Sequence, residues 1–128
     1  MKQAVFVVCT VEAGDGFAAT TRVTGGIGFP GGKVDAGETI REALLRELKE
    51  EGWDIRIVDT IPFYNEQVGE FMVYWFRGED ASIRSEYKEK GRIIPVIAQE
   101  EHLNKSGMGN DNALKVYNFL ATINDESL

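Results

Sequence analysis

The feature that most constrains this chain is a helix pattern over residues 39–51, which directly follows a glycine-rich segment, residues 24–37. Thr39 and Glu42 have the spacing of a capping box, in which the hydroxyl accepts from the Glu42 amide and the Glu42 carboxylate reaches back. Gly52 is placed to end the helix, because glycine readily adopts the left-handed conformation required there. The sequence therefore marks both ends of this helix.

Two kinds of side chain share this helix. At about 100° per residue, four aliphatic side chains form one face, which we expect to pack on the core: Ile40, Leu44, Leu45 and Leu48. Glu47, Glu50 and Glu51 lie at i, i+3 and i+4, at the rim of that face. Like charges at this spacing repel by roughly 0.2–0.5 kcal/mol a pair, and carboxylates in the last turn oppose the helix dipole.

Two interpretations of these three glutamates compete. They form either a solvated acidic face that Arg46 and Lys49 screen, or a site for a divalent cation. Oxygen ligands without His or Cys select a hard ion, which is Mg²⁺, or Mn²⁺ in its place.

The rest of the chain alternates strand and turn signals. Strands are predicted over residues 3–11, 17–23, 54–62, 70–77 and 92–98, with a turn from Glu12 to Gly16, a charged loop over 78–91 and a second helix over 111–123. Pro95 marks the strand over 92–98 as an edge or bulged strand. This order predicts an α/β fold in one domain, residues 1–128, with helices packed on a mixed sheet.

Composition excludes several classes of protein. The 128 residues contain 14 Lys plus Arg against 21 Asp plus Glu, a net charge of −7, and no stretch concentrates enough basic residues for nucleic-acid binding. The apolar run from Ala4 to Val8 is brief and β-branched, so we interpret it as a first strand and expect no membrane partner. Cys9 has no second cysteine to pair with, which favours a cytoplasmic location.

Two glycine motifs lack their structural context. Gly26 to Gly31 fits the dinucleotide pattern G-x-G-x-x-G, but no helix pattern begins at its third glycine. The pair Gly32-Lys33 is also not a P-loop, because Ile27 stands at the first glycine and Val34 at the required Ser or Thr.

The glutamate helix and the loop before it together resemble the Nudix box, Gly-x5-Glu-x7-Arg-Glu-U-x-Glu-Glu-x-Gly-U, where U is a bulky aliphatic residue. The matching positions are Gly32, Glu38, Arg46, Glu47, Leu48, Glu50 and Glu51. The preceding Phe29-Pro30-Gly31 is also typical of the family. The resemblance departs at the end of the box, where this chain has Gly52-Trp53-Asp54.

The resemblance implies a Nudix-type α/β/α sandwich and a Mg²⁺-dependent pyrophosphohydrolase. The implied metal ligands are the Gly31 carbonyl, Glu47, Glu50 and Glu51. Glu47 is the first candidate for the general base and Glu50 the second, while Arg46 and Glu38 are expected to orient the carboxylates. Gly32, Arg22 and Lys33 are expected to contact the substrate phosphates.

The substrate implied by the resemblance is a small nucleotide, a nucleoside diphosphate linked to a moiety X. The small domain favours a nucleoside or deoxynucleoside triphosphate, cleaved to a monophosphate and pyrophosphate. Nucleotide sugars, ADP-ribose and dinucleoside polyphosphates remain alternatives, as does a nucleotide sensor that does not hydrolyse its ligand. A further acidic ligand from a later loop has four candidates: Glu86, Glu89, Glu100 and Glu101.

Overall fold

Helix α1 (Ile40–Glu51) begins and ends where the sequence predicts. The Thr39 hydroxyl accepts from the Glu42 amide, and the Glu42 carboxylate accepts from the Thr39 amide, which completes the capping box. Gly52 lies in the left-handed region with φ 94°, and its N–H donates to the Leu48 carbonyl. Local sequence therefore determines both helix ends, as the caps imply.

A computed structural model describes residues 1–11, 16–104 and 108–126, and it contains the following further elements. The strands are β1 (Lys2–Val11), β2 (Gly16–Arg22), β3 (Ile27–Gly28), β4 (Gly31–Lys33), β5 (Trp53–Ile57), β6 (Tyr64–Val68), β7 (Phe71–Ile83) and β8 (Ile93–Ala98). A short 3-10 helix spans Glu100–His102, and helix α2 spans Asn110–Glu126. The turn residues predicted at positions 12–15 lie outside the described residues.

The sheet is mixed, as predicted. Its centre is the parallel pair of β1 and β7, and β7 also pairs antiparallel with β5 and β6. On the other side of the fold, β1 pairs antiparallel with β2 and β4, and β2 continues to β8. Within the described residues β8 pairs only with β2, so Pro95 lies in an edge strand, as the sequence predicts.

A helix covers each face of the sheet. Side chains of β1 alternate between two hydrophobic cores, so that Val5, Val7 and Cys9 pack toward α1 whereas Ala4 and Val8 pack toward α2. This alternation follows from the two-residue repeat of a strand. The result is a single-domain α/β/α sandwich, which confirms the predicted fold class.

Several strands differ from the sequence prediction. β6 lies where no strand was expected, because its residues are mostly polar and antiparallel pairing with β7 supplies the strand geometry. β3 and β4 form within the glycine-rich segment because antiparallel pairing with β2 and β1, respectively, supplies the strand geometry there. β7 continues to Ile83, so the start of the predicted charged loop is strand, and β5 ends at Ile57 instead of residue 62.

The departure at the end of the sequence box has a structural counterpart. β5 begins directly after the Gly52 cap, at Trp53, which is 1% exposed and donates from its indole nitrogen to the Ala19 carbonyl at 2.9 Å. The indole thus joins the end of α1 to β2. In the parts of the chain that the structure describes, neither helix combines the length and apolar character needed to span a membrane.

Two neighbouring leucines test the packing of α1. Leu44 is fully buried, whereas Leu45 is 46% exposed, which contradicts the expectation that both face the core. We expect Leu44→Ala to lower the free energy of unfolding by about 2–5 kcal/mol, because it leaves a cavity between α1 and the sheet. Leu45→Ala should change it by under about 1 kcal/mol. Chemical denaturation of both variants measures this difference, and equal losses would contradict the packing described.

Candidate active site

Arg46 holds the loop before α1 against the acidic face of the helix. Its Nε and Nη2 donate to the Glu38 carboxylate at 2.7 and 3.0 Å, and Nη2 also donates to the Lys33 carbonyl at 3.0 Å. Nη1 donates to Glu47 at 3.0 Å and to Glu50 at 3.3 Å. These charge-assisted bonds lower the pKa of Glu38 and raise the pKa of Arg46.

Glu51 is the buried member of the glutamate cluster. It is 4% exposed, and its carboxylate accepts from the Gly31 N–H at 2.9 Å. Burial raises the pKa of Glu51 to about 8, with a smaller opposing effect from that hydrogen bond. Among the described residues, no Lys, Arg or His nitrogen lies within 4.0 Å of its carboxylate, although the charge of Arg22 favours its ionised form.

The two glycines of β4 allow this close approach. A Cβ at Gly31 would lie 2.1 Å from the Val5 carbonyl oxygen, and φ there is 145°. A Cβ at Gly32 would lie 2.6 Å from the Glu47 carboxylate carbon. Burial also raises the pKa of Glu47, against the lowering effect of Arg46. Glycine is therefore required at Gly31, by its φ and by β1, whereas a side chain at Gly32 would displace the Glu47 carboxylate.

The donor set suits a hard divalent cation. All three glutamates offer oxygen, and the buried Glu51 carboxylate has no cationic partner among the described residues, a situation that a bound cation relieves. The carboxylates do not form a closed ligand group, however. No set of three or more Asp, Glu, His or Cys among the described residues is arranged to hold a metal, because Arg46 engages Glu47 and Glu50 while Glu51 faces the Gly31 amide.

The expected phosphate contacts separate in the structure. Arg22 lines a cavity of about 240 Å³ together with Gly31 and Glu51, which we call the glycine-loop cavity. Its remaining lining residues include Phe6, Phe29, Asn104 and Asn110. Lys33 does not line it, since its ammonium lies 5.7 Å from the centroid of the Phe71 ring. Gly32 does not line this cavity either, and lies next to the Glu47 carboxylate.

The four candidates for a later acidic ligand lie in different surroundings. The Glu89 amide donates to the Glu50 carbonyl at 2.9 Å, so its residue lies beside the end of α1. The Glu86 carboxylate is 84% exposed and contacts Lys90. Glu100 and Glu101 are exposed on the 3-10 helix. Of the four, Glu89 is the one whose backbone bonds to α1, while its carboxylate lies 3.6 Å from the Arg92 guanidinium.

Sequence reasoning named Glu86 and Glu89 as candidate ligands but missed the contribution of Arg84 and Lys88 to this region. Lys88 Nζ lies 3.6 Å from the Glu50 carboxylate, and the Arg84 amide donates to the Gly52 carbonyl. The dense charge of this segment was the available signal, but a charge run in a loop ordinarily indicates only a solvated surface. Only the fold shows that it borders α1.

Comparisons with known proteins identify the family and the fold of this chain. A family model described as "NUDIX domain" matches residues 1–106. No curated protein sequence gives a significant match. The structures similar to this chain include an ADP compounds hydrolase, at TM-score 0.65 and 20% identity, with 94% of this chain and 73% of that chain covered.

Two further structures show the same fold. A NUDIX hydrolase from Nitrosomonas europaea has a TM-score of 0.67 at 16% identity and covers 91% of this chain and 88% of its own. A structure from a study of MutT from Aliivibrio salmonicida and Vibrio cholerae has a TM-score of 0.65 at 18% identity, with coverage of 90% and 94%. These TM-scores show a shared fold, and at sequence identities this low they show the fold alone.

The buried Glu51 carboxylate predicts that the free energy of unfolding depends on pH when a chelator keeps the protein free of metal. Folded Glu51 keeps its proton up to about pH 8, whereas the unfolded chain releases it near its ordinary pKa of 4.5. The unfolded state thus binds fewer protons between these values, so the free energy of unfolding should fall as pH rises from 5 to 8, by at most roughly 1.4 kcal/mol per pH unit.

Thermal unfolding in EDTA across this pH range measures the effect. Glu51→Gln should flatten the dependence, whereas Glu101→Gln, on the exposed 3-10 helix, should retain it. An unchanged slope in Glu51→Gln would contradict the assignment to this carboxylate.

Proposed function

The chain belongs to the NUDIX family and is a hydrolase of phosphoric anhydride bonds, and on that premise we propose a Mg²⁺-dependent pyrophosphohydrolase of nucleoside triphosphates. Its products are a nucleoside monophosphate and pyrophosphate. The observation that carries this proposal is the buried Glu51 carboxylate, which lies between the glycine loop and α1 beside Glu47 and Glu50.

In this proposal Glu47, Glu50, Glu51 and the Gly31 carbonyl hold the metal, with Glu89 as the further acidic ligand. Held by these residues, a divalent ion would supply positive charge to the phosphates and would make a water more acidic. Arg46 and Glu38 are positioning residues, because the guanidinium fixes the carboxylates of Glu47 and Glu50 from one side. Gly32 leaves space for the Glu47 carboxylate at the loop.

The chemical step requires a base near the attacked phosphorus. Water forms a new bond to phosphorus, the bridging P–O bond breaks, and its electron pair remains on the leaving phosphate oxygen. Glu47 takes the proton of the water, with Glu50 as the second candidate.

The nucleoside binds in the glycine-loop cavity. Phe6 and Phe29 offer ring surfaces there, and Asn110 is 8% exposed with its amide nitrogen donating to the Asn104 carbonyl at 2.7 Å. Arg22 contacts the phosphates at the same cavity. Asn110 lies on α2, beyond the residues that the family model matches, so we take the functional domain to span residues 1–128.

Hydrolysis of a substrate panel with Mg²⁺ and with EDTA tests the proposal. The panel contains nucleoside and deoxynucleoside triphosphates, oxidised dGTP, nucleotide sugars, ADP-ribose and dinucleoside polyphosphates, with products separated by chromatography. Metal-dependent release of pyrophosphate from a triphosphate is expected. Metal-dependent nucleotide binding without turnover would instead identify a sensor, and indifference to Mg²⁺ would show that the glutamates do not form a metal site.

A single substitution tests the role of the glutamates. Glu50→Gln should lower kcat by at least about 100-fold, because it removes a metal ligand, while the fold is retained since the change also removes repulsion from Glu47 and Glu51. Steady-state rates at saturating Mg²⁺ and circular dichroism measure both effects. Glu101→Gln is the matched control and should keep normal activity; a folded Glu50→Gln with near-normal rates would refute the metal site.

A further inference from the structure

A second cavity, of about 300 Å³, lies beside the C-terminal half of α1, and we call it the cationic cavity. It is lined by Arg46, Lys49, Glu50, Arg84, Glu86, Tyr87 and Lys88. Glu50 lines this cavity, whereas Glu51, the next residue, lines the glycine-loop cavity. The two cavities therefore contact the glutamate helix at adjacent residues.

The charge of this cavity differs from that of the whole chain. Four cationic side chains and two carboxylates line it, although the chain carries a net charge of −7. Arg46 is already paired with Glu38 and Arg84 with Asp54, so Lys49 and Lys88 are the cations most open to an external anion.

Several of its donors are unused within the described part of the chain. Lys49 is exposed and forms no ion pair or hydrogen bond there, whereas Lys88, 73% exposed, forms an ion pair with Glu50 at 3.6 Å without a hydrogen bond. Arg84 donates from Nη1 to Asp54 at 2.7 Å, but its buried Nε has no hydrogen-bond partner. An anion with several oxygens supplies the acceptors that these cations lack.

The wall opposite α1 is fixed in place by backbone contacts. The Glu89 amide donates to the Glu50 carbonyl, and the Arg84 amide donates to the Gly52 carbonyl at 2.8 Å. The Tyr87 ring packs against Gly52, where a Cβ would approach it to 3.0 Å, and its hydroxyl donates to the Ile93 carbonyl. Arg84 and Lys88 thus project from a segment whose backbone is held against the end of α1, which reduces the entropy lost on binding.

We propose that the cationic cavity binds the moiety X through its phosphate groups, so that X is itself anionic. This inference rests on the proposed function: the nucleoside half lies in the glycine-loop cavity, the cleaved linkage lies at Glu50 and Glu51, and X extends toward Lys49 and Lys88. Triphosphates and dinucleoside polyphosphates satisfy this requirement. ADP-ribose and nucleotide sugars do not, because their X is a neutral sugar.

Titration with inorganic tripolyphosphate in EDTA tests the cavity without any catalytic step. By calorimetry, we expect Lys49→Ala and Lys88→Ala each to raise Kd about three- to fivefold, and the double variant to raise it about tenfold or more. Lys115→Ala is the matched control, because Lys115 is also an exposed lysine, at 72%, but lies on α2. Its Kd should match that of the wild-type protein.

Other results would overturn the inference. These are absence of tripolyphosphate binding, an equal loss of binding in Lys115→Ala, or a loss confined to Arg22→Ala and Lys33→Ala.

Kinetics add a second test: Lys49→Ala should raise KM for a triphosphate with kcat unchanged within about twofold, and should not alter KM for ADP-ribose. If no substrate is hydrolysed, the proposed function fails, while the titration still decides whether the cavity binds phosphate.

Discussion

The hydrogen bonds of Arg46 are the interaction on which the site depends. One guanidinium joins the loop carboxylate of Glu38, the Lys33 carbonyl and two carboxylates of α1. Without a cation at this position, Glu47 and Glu50 repel each other in the last turn of a helix whose dipole already disfavours them. Arg46 offsets that repulsion from the side of the loop, and so fixes the loop and the helix relative to each other.

The sheet explains why a carboxylate can be buried beside this network. β4 pairs with β1 and carries Gly31, whose amide donates to Glu51. Because a side chain at Gly31 would collide with the Val5 carbonyl, the backbone itself forms the wall of the site. One hydrogen bond does not offset the loss of hydration of a charged carboxylate, and this explains the raised pKa of Glu51. A site with this imbalance favours a bound cation.

Two cavities lie against the glutamates of α1, one at Glu50 and one at Glu51. Glu51 lines the glycine-loop cavity, with its aromatic and amide side chains, and Glu50 lines the cationic cavity. A third cavity, of about 200 Å³, is lined by Thr10, Arg77, Glu79 and Tyr117 but by none of the three α1 glutamates. The Arg77 guanidinium there is already bound by Asp59. Contact with Glu50 or Glu51 is therefore the basis on which the substrate is proposed to bind in the first two cavities.

The sequence by itself determined α1, its two caps, the spacing of its glutamates and the mixed α/β order, because each depends on residues within a few positions of one another. The tertiary structure decided which leucine is buried, where the polar strand β6 pairs, and that Lys33 lies against Phe71 while Arg22 lines the cavity. It also decided that residues 84–89 border Glu50. These contacts join residues far apart in the chain, and local propensity carries no information about which distant partner will supply the burial or the opposite charge.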